Sequence, residues 1–275
     1  MADSYHVLAR EELSVPRPAV SRAVAHATGR VAFDVARELR RRIGVLADGL
    51  SREAAEQLVA ALAQVGVRAF ALEDDQVVRF PDPGFLETAR LGPDALIVSD
   101  LRDAEQKPIG SANVPYGDIV LLATAMVTTE TKRKVSEPDH LTGGGGLIAA
   151  HAVTRGIIPL WPLHGNAKPA RRTERRLESD YFLDLFAVEP ARHLRLNAGT
   201  FNFVQTGLKM EPTSIANLRR FIEAFVPRCD QAIIDPSVRH VLDGSPQTDL
   251  RCDGLEQYDA YLAWRVQLLY HPEPE

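Results

Sequence analysis

Cysteine is scarce. Cys229 and Cys252 are the only two in 275 residues, too few for a disulfide framework. No CxxC pair and no Cys/His cluster at zinc-ligand spacing occurs. The expectation is two buried or half-buried thiols, bridged only if the compartment is oxidising. Aromatic residues make up just 7% of the chain, so Leu, Val, Ile and Ala must fill most of the core. No charge-free apolar run reaches the roughly 18 residues of a spanning helix, and MADSYHVLAREEL lacks a charged-then-apolar signal pattern. Together these point to the cytoplasm. A net charge of −5 argues against a surface coated for nucleic acid.

The motifs of common chemistries are missing too. There is no HExxH, no HxH, no GxSxG elbow and no GxGxxG between strand and helix. The four glycines at 143–146 could form an anion-binding nest, but no Gly-Lys-Ser/Thr follows them, so a hinge is the plainer role. Nothing marks any of the eight histidines as a metal ligand. Asp180 and Asp184 bracket the strand-like YFLDLF. In a strand they share one face about 13 Å apart, beyond the roughly 5–10 Å of a glycosidase pair, so they are expected as solvated residues. No catalytic residue, metal or cofactor is assigned on these grounds.

What is present is an ordinary globular composition, 45% apolar and 25% charged, in a length that suggests two domains. YHVLAR (5–10) reads as a strand and 17–27 as a helix ended by Thr28-Gly29. A second helix, about 30–42, sets Val31, Val35 and Leu39 on one face. A strand follows at about 44–47, then a helix capped by Ser51, with Ala55, Leu58, Leu62 and Val65 at helical spacing and Gly66 as its stop. VRAFAL (67–72) is a further strand. Residues 76–93, with Pro81, Pro83 and Pro93, read as a linker. Beyond it, 95–100, 181–188 and 193–199 read as strands, 114–128 as β-rich, and FNFV (201–204) as a candidate strand. PTSIANLRRFIEAFV (212–226) is a helix with Thr213 or Ser214 as cap and Ile215, Leu218, Ile222 and Phe225 as its buried stripe. DPSVRHVLDG reads as a short helix stopped by Gly244, and 255–270 as the last one.

The expectation is therefore an α+β protein. A βααβαβ domain (1–75) and the linker precede a β-rich domain (94–275) with C-terminal helices and an inserted segment, 129–180. Thr28-Gly29, Ala36, Leu39 and the phrase GLSREAAEQLVAALAQVGVRAFAL (49–72) resemble the C-terminal domain of the ribosomal stalk protein and the related Clp adaptor fold. In the stalk family the second helix carries a lysine-rich surface for translation factors; here that stretch holds Arg37, Arg40, Arg41 and Arg42, but also Asp34 and Glu38. Strands ending in a helix, with Val114-Pro115-Tyr116-Gly117-Asp118-Ile119, resemble the bacterial pleckstrin-homology-like (PH-like) domains. The whole is similar to a group of uncharacterised bacterial proteins pairing these modules, a resemblance that implies no specific activity.

The insertion concentrates positive charge. Between 131 and 178, nine Lys/Arg stand against four Asp/Glu, a local +5 in a chain of −5. Candidate binding residues are Arg155, Trp161, Lys168, Arg171, Arg172, Arg175 and Arg176, around the apolar LIAAHAVTRGIIPLWPL (147–163). One reading has this segment meeting an anionic membrane surface or an acidic partner. The other has it as a core element with solvated basic loops. Arg155, Pro159 and Pro162 interrupt any long amphipathic helix. The leading expectation is a non-catalytic binding or adaptor protein with a protein partner. The alternatives are an enzyme of unknown class, with an inter-domain site using His151, His164 or Cys229, and a peripheral membrane protein. A pairing of Cys229 with His240 would serve the enzyme reading.

Overall fold

A computed structural model describes residues 4–12, 18–136, 171–244 and 251–273, with side chains left aside at 129–136 and 171–177. The architecture is mixed α+β. The chain divides into two compact units, one of residues 1–128 with 179–275 and the other of 129–178. In the smaller unit the described residues are the end of β7 and the beginning of β8.

In the larger unit, β1 (Tyr5–Ala9), α1 (Pro18–Thr28), α2 (Ala32–Leu39), β2 (Val45–Leu50), α3 (Arg52–Gln64) and β3 (Ala69–Glu73) follow in order. The strands form an antiparallel sheet, β2-β1-β3. Period-two alternation gives it two apolar faces. Val7, Ala9, Ala69 and Ala71 face α1 and α3, while Leu8, Phe70 and Leu72 face the opposite way. Ser51 caps α3 by accepting from the Ala54 N–H, as its position before the apolar stripe predicts.

The second sheet has eight strands. β4 (Gly84–Leu91), β5 (Ala95–Arg102) and β6 (Pro108–Pro115) form one antiparallel run. β7 (Ile119–Ser136), β8 (Arg171–Val188) and β9 (Ala191–Asn197) lie beside them, and a parallel β4–β9 pair joins the two groups. β10 (Ile233–Ile234) and β11 (Arg251–Cys252) each add two residues alongside β7. Three helices complete the chain: α4 (Ser214–Phe225), α5 (Pro236–Asp243) and α6 (Leu255–Tyr270). Apolar residues on both faces of β7 and β8 explain why the sheet is covered twice. Leu183, Leu185, Leu194 and Leu196 join the core with Leu218, Phe221, Ile222 and Phe225 of α4. Phe182 and Phe186 join the core with Tyr258, Tyr261, Leu262 and Trp264 of α6, which also takes in Leu8 and Leu72.

Three expectations change on contact with this architecture. Residues 84–91 are not linker but β4, lying between β9 and β5. A register shift between Leu86 and Thr88 places Leu86 and Ala89, three apart, both in the core, which hides the period-two signal. FNFV is not a strand: Phe203–Thr206 is a 3-10 turn, and Phe201 and Phe203 both pack on Phe221, with centroids 5.8 and 6.5 Å away. Val31 does not face the core. α2 begins one residue later, and Val31, its N-cap, is 65% exposed.

Candidate functional site

A charged-rimmed cleft among the described residues lies around α2. Gly29, at φ +68°, ends α1 where a side chain would be strained, and the chain re-enters helix at Ala32 with no side-chain cap on Val31. Only Val35 of α2 is fully buried. Between α1, α2, β2 and the start of α3 lies a cleft of about 400 Å³, its floor made by Val24, Val35, Leu39, Leu46 and Leu50. Charged side chains rim it. Glu38 pairs with Arg30 and with Arg42, whose Nε lies 3.0 Å from Oε1, and Arg42 Nη1 lies 2.6 Å from Asp48 Oδ2. Exposed pairs of this kind add little stability, so the rim can rearrange at small cost.

The outward stripe of α2 differs from its cleft face. Phe33 is 78% exposed, and Arg37 and Arg40 follow it at i+4 and i+7, on the same side of the helix. From residue 22 to residue 48, six arginines stand against three carboxylates. Arg22, Arg37, Arg40 and Arg41 make no ion pair among the described residues. The region thus couples an exposed ring to unneutralised positive charge, inside a chain that is negative overall.

A second polar constellation is buried. Asp184 and Arg195 face each other across β8 and β9. Asp184 Oδ1 accepts from Arg195 Nε at 2.8 Å and lies 2.5 Å from His193 Nε2. Arg195 Nη2 reaches Asp259 of α6 at 2.6 Å. A carboxylate–imidazole pair can frame a general base, but here Asp184 and Arg195 are sealed from solvent and the His193 ring stacks on Phe186 at 4.3 Å. None of these four side chains lines the α1–α2 cleft. Asp184 Oδ2 and Tyr258 Oη are buried without a hydrogen bond among the described residues. Burial, and then the Asp184 charge, hold the Tyr258 phenol well above its ordinary value. Asp184, expected as solvated, is therefore an internal charge. The reason is α6, which covers that face of the sheet and supplies the second partner for Arg195.

Asp235 is a further buried carboxylate. It caps α5 by accepting from Ser237 N–H, takes the Tyr261 hydroxyl at 2.9 Å, and pairs with Arg265 Nε at 2.6 Å. It ties α5 to α6, a structural use of charge.

Cys229 and Cys252 are buried and unbridged. Burial pushes both thiols up to about 12, the opposite of what an activated nucleophile needs. No hydrogen bond joins Cys229 to His240. Among the described residues no group of three His, Cys, Asp or Glu side chains is placed to hold a metal, and no described helix is long and apolar enough to cross a membrane. Arg155, Trp161 and Lys168 lie outside the described residues, as do His151, His164, the four glycines and the rest of 147–163. Arg171, Arg172, Arg175 and Arg176 lie on β8, with their side chains outside the described set. Sequence reasoning missed the Phe33 stripe because it scored α2 by its buried spacing alone. The signal that could have found it is the one aromatic residue off that apolar face.

No protein-family model, no curated protein and no solved structure matches this chain.

Proposed function

We propose that this is a non-catalytic binding protein of the cytoplasm that docks an acidic protein segment on α2. The observation that carries the reading is Phe33, held 78% exposed on a helix whose outward stripe continues with unpaired arginines. An isolated exposed aromatic means little by itself. An exposed aromatic beside unneutralised cations and an apolar-floored cleft has the composition of a docking surface: an anchor ring enriched at energetic centres of interfaces and charges that steer an acidic partner. The weak local burial of α2 fits the same role, since segments that bind are drawn from the less stable parts of a fold. The likenesses to the stalk-protein and PH-like modules agree with a binding role and add no chemistry.

The test is affinity capture by the wild-type chain and by a Phe33→Ala/Arg37→Glu variant of equal thermal stability. The expected result is a partner retained by the wild type and lost by the variant. Equal capture by both, or turnover of a small molecule traced to the buried Asp184–His193 pair, sinks the reading.

A further inference from the structure

Sheet edges with free main-chain groups invite pairing, and proteins blunt them with short strands, prolines and bulges. Most edges here are blunted. β10 and β11 have two residues each. β6 begins and ends in proline, carries Gly110 at φ +122°, and pairs with β5 through register shifts. β2 pairs with β1 through shifts and carries Gly49 at φ +70°. β3 has none of these devices. Its sequence, AFALE, pairs with β1 in unbroken register along all five residues.

Hydrogen bonds fix which groups face out. Arg10 N–H donates to Arg68 O and Asp74 N–H to Ser4 O, both at 2.9 Å. Strand main-chain groups alternate in direction, so Phe70 and Leu72 also turn toward β1, and Ala69, Ala71 and Glu73 turn theirs to the open edge, where the Glu73 N–H donates to Gln76 Oε1 at 3.4 Å and those of Ala69 and Ala71 are left for a partner strand. Beside that edge runs a groove of about 490 Å³, with Val59 and Ala63 of α3 on one side and Val67, Ala69 and Phe70 on the other.

We propose that β3 pairs with β3 of a second copy of this chain, antiparallel about a two-fold axis at Ala71, to make one six-stranded sheet. The strand is self-complementary in that arrangement. Ala71 meets its own counterpart as a hydrogen-bonded pair and Ala69 meets Glu73. Phe70 falls opposite Leu72, where facing side chains approach most closely, and just beyond the strand ends Arg68 comes opposite Asp74, the first residue of a 3-10 turn. A basic start and an acidic end therefore match twice per dimer, as an isologous contact requires. Arg68 and Asp74 are 59% and 51% exposed, in surface ion pairs with Glu11, Glu273 and Arg79 that can be exchanged at little cost, while Asp74 Oδ1 also keeps half-buried His6 Nε2 at 2.8 Å. A ladder this short lies below the roughly 1,200 Å² of a standard stable interface, so the dimer is reversible and depends on concentration.

Sedimentation equilibrium of the full chain across the micromolar range tests this. A monomer–dimer equilibrium is expected. Arg68→Glu or Asp74→Arg alone sets like charges opposite each other twice and weakens association by about tenfold. The combined swap restores it to near wild type. Amide exchange on the wild type needs no variant: the Ala69 and Ala71 amides gain protection as concentration rises. A chain that stays monomeric, a dimer indifferent to either substitution, a swap that fails to rescue, or protection at those amides that ignores concentration overturns the proposal.

Discussion

Helices α2 and α6 are alike in one respect and opposite in another. Neither has a side-chain cap at its start, so neither is held by its own ends. α6 buries Tyr258, Tyr261, Leu262, Trp264, Val266 and Gln267, and ties the two sheets together. Trp264 Nε1 donates to Ala9 O of β1 at 2.7 Å, and Gln267 bonds both main-chain groups of Val78. α2 buries Val35 alone and leaves Phe33 in water. The contrast teaches that these two helices differ through tertiary burial and not through capping, and it separates a helix sealed against both sheets from a helix left largely to solvent.

The comparison breaks most severely at the charge beneath α6. Arg195→Met leaves Asp184 buried without its main countercharge. A loss of about 3–5 kcal/mol is expected, read as a lower urea midpoint at unchanged m-value. Next comes Gly44, which sits at φ +78° with an ideal Cβ only 2.2 Å from the Trp264 indole. Gly44→Ala must displace that ring and strain the backbone, for an expected cost of about 2–4 kcal/mol and a fall in Tm. A smaller effect comes from pH. Cys229 and Cys252 are raised to about 12 from an ordinary 9.0, and Tyr258 and Tyr261 are raised as well, all by burial. Groups raised in this way favour the folded state fully below their unfolded values. That contribution is lost as pH climbs from about 9 toward 12, so chemical denaturation at successive alkaline pH values should show stability falling across that window, and native thiols should react slowly at pH 8. The smallest effect on folding belongs to Phe33→Ala. Its ring touches mostly water, so stability should move by no more than about 0.5 kcal/mol while docking on α2 is lost. A large stability loss there would erase the distinction between the two helices.

Much of this fold is legible along the chain. The βααβαβ order, the Ser51 and Thr213 caps, the Gly244 stop and the limits of α6 follow from spacing and capping chemistry. β4 is not legible, because its bulge turns a period of two into a spacing of three. The Asp184–Arg195 pair is not legible either, since a carboxylate on a strand reads as solvated until a helix some seventy residues later covers it. The candidate site was legible only in its arginines. That Phe33 stays outside depends on α2 starting at Ala32 and packing through Val35.

Local chemistry along the chain was enough to place most helices and the strands of the first sheet, and to show that no single apolar run dominates. Only the tertiary structure decided which charges went inside, which helix was left uncovered and which strand edge stayed open. The physical reason is that burial is a property of what comes to lie across from a residue, and the α6 residues that cover Asp184 and Ala9 are remote from them in sequence.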